Sequence, residues 1–416
     1  MFFIYRILTN LVLFISPFII ILRLFKKKED LIRFKEKFCF FTKKKLKGKL
    51  IWFHGASVGE ILSIIPLVEK LEKNKEISQI LITSNTLSSS KILSNLKSKK
   101  IVHQFFPIDT FHYNKKFLNY WKPSVAVFID SEIWPNMIIN IKKKPISLIL
   151  LNARITEKSF KRWKILPSEA KILFKKFDIC LSSSLKSKKY LKSLGAEKIK
   201  YIGNLKFSQT EKNQDILKMK TKRFFSSKRI WCAASTHDTE EKICALVHKK
   251  LIKKNKNLLT IIIPRHINRT EKIITELKKL QLNVHVHESK NKINPKTDIY
   301  LVNSYGKTKP FFKVCKTVFL GGSLIRHGGQ NPLEAARYGC KILHGPNNWN
   351  FHEIYELLNK YKVSSEIKNI KQLSNKVNIM LTKKNSSKNI ESKIKKLGDK
   401  ILDSTFKEIN FFIEKR

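Results

Sequence analysis

The chain has 416 residues and a formal charge of +52, from 84 lysines and arginines against 32 acids. One hydrophobic core rarely grows past about 250–300 residues, so two domains are expected. The lysines are spread along the whole chain. With no zinc-finger cysteine spacing, RNP-like aromatic motif or basic recognition helix, they argue against nucleic acid and leave a lysine-biased composition or an anionic membrane surface.

In chain order, the first predicted element is an uncharged run over residues 7–22, bounded by Arg6 and Arg23 and followed by Lys26, Lys27 and Lys28. Extended by its apolar flanks it reaches the roughly 20 residues that a membrane span needs, and no small-x-small cleavage pattern follows. Residues 1–25 are read as a membrane anchor or monotopic helix, the alternative being a buried core helix. The lysines behind it place the body on the cytoplasmic side.

Strand-like runs then recur over 50–53, 79–83, 102–106, 125–129, 146–151 and 178–181, with helical stretches between several of them. Alternating β and α elements predict a parallel, doubly wound sheet. A polar, lysine-rich passage over 208–228 reads as a linker. The pattern restarts at 229–233, 258–263, 282–287, 298–302, 317–320 and 341–343, which predicts a second Rossmann-like unit. Residues 366–416 read as helices. The six cysteines lie far apart with no C-x-x-C pair, which excludes a disulfide framework and a zinc site and suits a reducing compartment.

Polar clusters fall just after the strand candidates, where open α/β sheets bind ligands. After 50–53 comes His54-Gly-Ala-Ser-Val-Gly-Glu60, which sets Glu60 at the mouth of a helix. Glu60 is a candidate general base, or else a first-turn acid favoured by the helix dipole. In the second unit, Arg265 and His266 follow 258–263 and suit a phosphate. His237 either polarises a ligand or caps the next helix, and the acids Asp238, Glu240 and Glu241 favour capping. The segment Gly321-Gly-Ser-Leu-Ile-Arg-His-Gly-Gly-Gln-Asn-Pro-Leu-Glu334 reads as a phosphate loop, its glycines clearing space and a helix starting near Asn331 and Pro332 offering N–H groups to an anion. Glu334 is placed to accept from ribose hydroxyls; the alternative is a glycine-rich turn with an N-cap asparagine. The segment is neither a Walker A loop nor a dinucleotide fingerprint. No His, Asp and Glu set has metal-ligand spacing, so no metal and no cofactor are expected.

Together, H-G-A-S-V-G-E (54–60), D-S-E-I-W-P-N (130–136), N-A-R-I (152–155), G-N-L-K-F (203–207), A-S-T-H (234–237), P-R-H (264–266) and G-G-S-L…G-G-Q-N-P-L-E (321–334) resemble the 3-deoxy-D-manno-octulosonic acid (Kdo) transferases. The resemblance implies a GT-B glycosyltransferase of the bacterial lipopolysaccharide pathway, with two Rossmann-like domains facing across a cleft and an N-terminal anchor at the inner membrane. Its donor would be CMP-Kdo and its acceptor the lipid A precursor. The expected domains are 26–207 for the acceptor and 229–395 for the nucleotide sugar, with a C-terminal helix over 396–416. By motif, Glu60 would be the proton acceptor, and Lys206 and Asp130 would stabilise the transition state, Asp130 standing one methylene short of the family's usual glutamate. Arg265, His266, Tyr305, Gly306, Lys307, Asn331, Pro332, Leu333 and Glu334 would contact the nucleotide, Lys307 replacing the family's usual acid. The rival readings are another GT-B lipid-linked transferase, a UDP-sugar epimerase of similar shape, or a membrane-tethered nucleic-acid-binding protein.

Overall fold

The computed structural model describes residues 2–96, 98–209, 216–289, 291–304, 306–382 and 387–415. The chain divides into two compact units, one of Met1–Thr210 with Leu397–Arg416 and one of Glu211–Lys396. Each is a seven-stranded, all-parallel sheet. The first comprises β1 (Lys49–His54), β2 (Ile77–Ser84), β3 (Ile101–Phe105), β4 (Val125–Ile129), β5 (Ser147–Ala153), β6 (Ile179–Ser182) and β7 (Ile199–Tyr201), in the order β3-β2-β1-β4-β5-β6-β7. The second comprises β8 (Arg229–Thr236), β9 (Leu258–Pro264), β10 (Val284–Val286), β11 (Ile299–Leu301), β12 (Thr317–Leu320), β13 (Lys341–His344) and β14 (Ser364–Glu366), in the order β10-β11-β9-β8-β12-β13-β14.

Sheets covered by helices on both faces select near-continuous apolar strands, and β4 and β9 are buried at every residue. Trp52, Phe117, Trp121 and Phe128 fill the first core, and the Trp52 indole N–H is satisfied by Thr83 Oγ1 at 2.9 Å. The strands that the apolar runs do not announce are β7 and β14. Both are three-residue edges with the sequences Ile-Lys-Tyr and Ser-Ser-Glu, and with one side open they carry no apolar signature.

Strand order reverses between β1 and β4 in the first sheet and between β8 and β12 in the second. In open α/β sheets ligands gather at the strand carboxyl ends beside such a reversal, and in each unit polar motifs follow the strands that flank it.

Two segments depart from the sequence reading. Within the expected linker, Met219–Ser226 is a helix of the second unit that buries Phe225. The final helix runs Ser387–Glu414, so the expected boundary at 396 falls inside it, and from Leu397 onward it belongs to the first unit. There Lys200 pairs with Glu408 at 2.7 Å and Asn74 with Asn410 at 3.0 Å. A Cβ at Gly398 would stand 2.4 Å from the Phe207 carbonyl, and one at Gly203, where φ is +102°, 2.9 Å from Ile401. Glycine at both positions lets this helix lie directly on the 203–207 loop.

The N-terminal helix Phe2–Phe25 has a mean hydropathy of 2.2, long and apolar enough to cross a membrane. It nonetheless rests on the first unit by a stripe at helical spacing. Tyr5 donates to Asp109 at 2.8 Å, Thr9 accepts from the Asn136 amide at 3.2 Å, Arg6 lies over the Phe111 ring, Ser16 and Ile20 are buried, and Arg23 pairs with Glu29 at 2.6 Å. The other faces are apolar and exposed, among them Phe3, Phe14, Phe18 and Phe25.

Candidate active site

In the first unit, Ser57 caps helix Val58–Glu72 and Glu60 closes a capping box. Glu60 Oε1 accepts from the Ser57 hydroxyl at 2.6 Å and Oε2 from the Ala56 N–H at 2.7 Å. A carboxylate has about four acceptor positions, so these bonds orient Glu60 without exhausting it. Burial first, then the negative charges of Glu132 and Asp130, push the Glu60 carboxyl above its ordinary range, while Ser57 and Ala56 oppose the shift. Glu60 is therefore a first-turn cap whose carboxyl is also of raised basicity.

Across the strand reversal, Asp130 ends β4 and Asn152 lies near the end of β5, both in the left-handed backbone region at φ 54° and 52°. Asp and Asn tolerate that region better than other side-chain-bearing residues. The Asn152 amide donates to Asp130, and its carbonyl oxygen accepts the Leu205 N–H at 2.8 Å. Lys206 Nζ then meets Asp130 Oδ2 at 3.2 Å. The shorter Asp130 thus still reaches both partners, and three motifs far apart in the chain converge on one carboxylate.

Glu132 is given no role by the sequence, although it lies inside a quoted motif. Its Oε2 meets His54 Nε2 at 3.2 Å and accepts the Trp134 indole N–H at 2.8 Å. Burial opposes its ionisation, but the His54 and Trp134 bonds outweigh it and hold the carboxyl below its ordinary range. Asn152 is likewise unassigned by sequence. Its role depends on a backbone conformation that residue order does not reveal.

In the second unit the outcome is mixed. Arg265 and His266 follow β9 directly, and both are exposed. His237 does not cap the next helix, Glu240–Ile252, whose N-cap is Thr239. Its ring centroid lies 4.0 Å from that of His327, with the planes tilted, and 5.5 Å from that of His266, edge to face. Burial, then the neighbouring His327, His266, Arg265 and Arg269, lower its pKa to about 4, so it is neutral at pH 7.

Within the segment Gly321–Glu334, the first N–H groups already have a partner in the protein. The buried Glu240 carboxylate takes the N–H groups of His237 (3.0 Å), Gly322 (2.7 Å), Ser323 (3.1 Å) and Leu324 (3.0 Å). A Cβ on Gly321 would stand 2.7 Å from that carboxylate, so its glycine clears room for the protein's own acid. The expected helix near Asn331 is only Leu333–Arg337, with Pro332 as N-cap, and the Leu333 N–H is taken by Asn331 Oδ1 at 3.1 Å. Glu334 Oε2 accepts from Thr308 at 3.1 Å. Lys307 pairs with Glu288 at 2.8 Å, beside Gly306 at φ +73°. Tyr305 lies outside the described residues. Among the described residues no three His, Cys, Asp or Glu side chains are grouped as metal ligands.

The profile of the family "3-Deoxy-D-manno-octulosonic-acid transferase (kdotransferase)" matches residues 32–209, the stretch that carries Glu60, Asp130, Asn152 and Lys206. A 3-deoxy-D-manno-octulosonic acid transferase from Rickettsia bellii is 34% identical over 98% of this chain and 99% of its own. One from Rickettsia felis is 34% identical over 81% of this chain and 72% of its own. Among solved structures, a UDP-GlcNAc 2-epimerase from Neisseria meningitidis superposes with a TM-score of 0.56 over 88% of this chain and all of its own, at 14% identity, a likeness of fold alone. With 34% identity to the Rickettsia bellii enzyme over nearly the full length of both and two Rossmann-like sheets of GT-B type, the chain belongs to the 3-deoxy-D-manno-octulosonic acid transferase family.

Proposed function

We propose that this enzyme transfers Kdo from CMP-Kdo to the lipid A precursor (lipid IVA), with inversion and with Glu60 as general base. The observation that supports it most is the grouping at the β1/β4 reversal of a basic, oriented carboxylate, Glu60, with the Asp130–Lys206 pair. An acceptor hydroxyl oxygen bonds to the anomeric carbon of Kdo as the bond from that carbon to the CMP phosphate breaks. The hydroxyl proton passes to Glu60, a role worth about 10²–10⁴-fold. Charge grows on the departing phosphate, and cations held in place stabilise it without reorganising. Lys206, whose ammonium Asp130 orients, is one candidate and Arg265 another; Arg265 forms the proposed nucleotide set with His266, Gly306, Lys307, Asn331 and Glu334. The N-terminal helix would hold the enzyme on the cytoplasmic side of the inner membrane, where Lys26 to Lys28 favour anionic lipid.

The test is incubation of the purified chain with CMP-Kdo and lipid IVA, followed by mass spectrometry. A product heavier by one or more Kdo units supports the reading. Transfer from a UDP-sugar instead, or epimerisation of one, overturns it.

A further inference from the structure

A cavity of about 370 Å³ lies in the first unit beside the Asp130 loop. Its walls are mostly apolar and come from three places: Phe2 of the N-terminal helix, Ile133 and Trp134 of the 130–136 motif, and Trp163, Leu166 and Leu173 of helix Glu157–Lys164, the turn after it and helix Pro167–Phe174, with Tyr5, Ser131 and Glu169 among the polar lining. The lining also includes Glu132, already held by His54 and Trp134, two residues from the carboxylate that orients Lys206. The volume falls in the range of pockets that enclose small ligands, about 300–1,000 Å³.

What fills it follows from its borders. The Phe2 wall belongs to the helix whose outward faces are exposed and apolar, and that helix is fixed to the same corner by the Tyr5–Asp109 and Asn136–Thr9 hydrogen bonds. Asp109 also accepts the Met137 N–H at 2.9 Å, at the start of the helix that follows the 130–136 motif. On the opposite side, Ile165 and Ile172 continue the apolar surface at 75% and 50% exposure. Next to them, helix Glu157–Lys164 turns Lys158, Lys161, Arg162 and Lys164 to solvent, with Glu157 paired to Lys161 and Lys186. A largely apolar cavity walled in part by the apolar N-terminal helix, with a cation-bearing helix next to it in the chain and Glu132 of the 130–136 motif in its lining, has the chemistry of an acylated lipid with an anionic head group.

We propose that this cavity holds an acyl chain of the lipid acceptor, so that the chain docks first and the sugar hydroxyl is presented to Glu60 from the membrane side. The proposal rests on the reading of the enzyme as a transferase to a lipid acceptor. The chain contributes binding that is the same in ground and transition states, which lowers KM and leaves kcat alone.

The full-length protein, with CMP-Kdo, is assayed on two acceptors: acylated lipid IVA in mixed micelles, and the fully deacylated, water-soluble glucosamine disaccharide bisphosphate. Leu166→Trp fills the cavity and Leu166→Gln makes it polar; a thermal melt confirms that each is folded. In both variants KM for the acylated acceptor should rise roughly tenfold with kcat retained, while turnover of the deacylated acceptor stays at the wild-type level. Unchanged KM for the acylated acceptor in the folded variants overturns the assignment, as does weaker vesicle binding with no change in acceptor KM, which would make the cavity a seat for bulk lipid. Equal losses on both acceptors would also overturn it, by showing a general disturbance of the site. If the wild-type protein transfers Kdo to neither acceptor, the transferase reading itself falls; wild-type transfer with indifferent variants removes only the cavity.

Discussion

The two sheets each place a glutamate in the first turn of the helix that follows the strand at the order reversal, Glu60 after β1 and Glu240 after β8, and treat them in opposite ways. Glu60 is half-buried and bonded only to its own turn. Glu240 is fully buried, and its two oxygens share four backbone N–H groups, three of them from a loop more than eighty residues away. A carboxylate with spare acceptor positions and raised basicity can take a proton. One saturated by fixed donors can only hold structure together. The identity of the residue and its place on the fold do not separate these outcomes; the count of donors around it does.

The sharpest way to break this contrast is Glu240→Gln. It should strand two of the four donors against an amide N–H₂ and cost about 3–5 kcal/mol, at about 1–3 kcal/mol for each buried group left unpaired. Calorimetry should show a lower transition temperature, and an unchanged one would mean that the loop does not depend on Glu240. Glu60→Gln should do the reverse. Glutamine also completes a capping box, so stability should hold within about 0.5 kcal/mol, while turnover falls about 10²-fold or more. A raised carboxyl pKa favours the folded state below the unfolded pKa and loses that contribution as pH rises through the folded one. Melts of Glu60→Gln at pH 8 should therefore equal or exceed wild type; a clear loss would return Glu60 to a structural role.

Lys206→Met tests the neighbouring pair and should lower kcat about tenfold, in line with about 1.5–3 kcal/mol for a charge-assisted hydrogen bond, with CMP affinity in calorimetry unchanged. Weakened CMP binding and normal kcat would place Lys206 on the nucleotide rather than on the reaction. The smallest effect belongs to His237. Its folded pKa of about 4 lies below the ordinary 6.5, so the unfolded chain binds the extra proton and stability declines as pH falls from 6.5 toward 4. His237→Gln should flatten that slope in melts recorded across the window, most visibly below pH 6; an unaltered slope would assign it to other groups.

Much of this arrangement is legible in residue order. Apolar runs place both sheets, and the rule that ligands gather at strand ends singles out Glu60 and the Asp130 segment. Lys206 is reached only through family resemblance, because a short 3₁₀ turn after an edge strand carries no periodic signal. Asn152 and Glu132 stay hidden within quoted motifs, since their partners are fixed by left-handed backbone and by His54, not by spacing. The Gly321–Leu324 loop is ambiguous in residue order for a physical reason: glycines make the same space whether a phosphate or the protein's own carboxylate fills it. In the N-terminal helix, averaging over apolar residues conceals the stripe of Tyr5, Arg6 and Thr9 by which it grips the body.

The last helix has a consequence for biosynthesis. Its segment from Leu397 onward completes the first unit by closing over the 203–207 loop that presents Lys206, although that loop is made some two hundred residues earlier. The earliest-synthesised unit is thus also the last to be finished, and on the ribosome it must wait for the second sheet to emerge before the loop of Lys206 is covered. A chain that terminates before residue 397 carries every residue assigned to the chemistry, yet lacks the support that positions one of them. Incomplete translation products would therefore lack a structural support rather than a functional group.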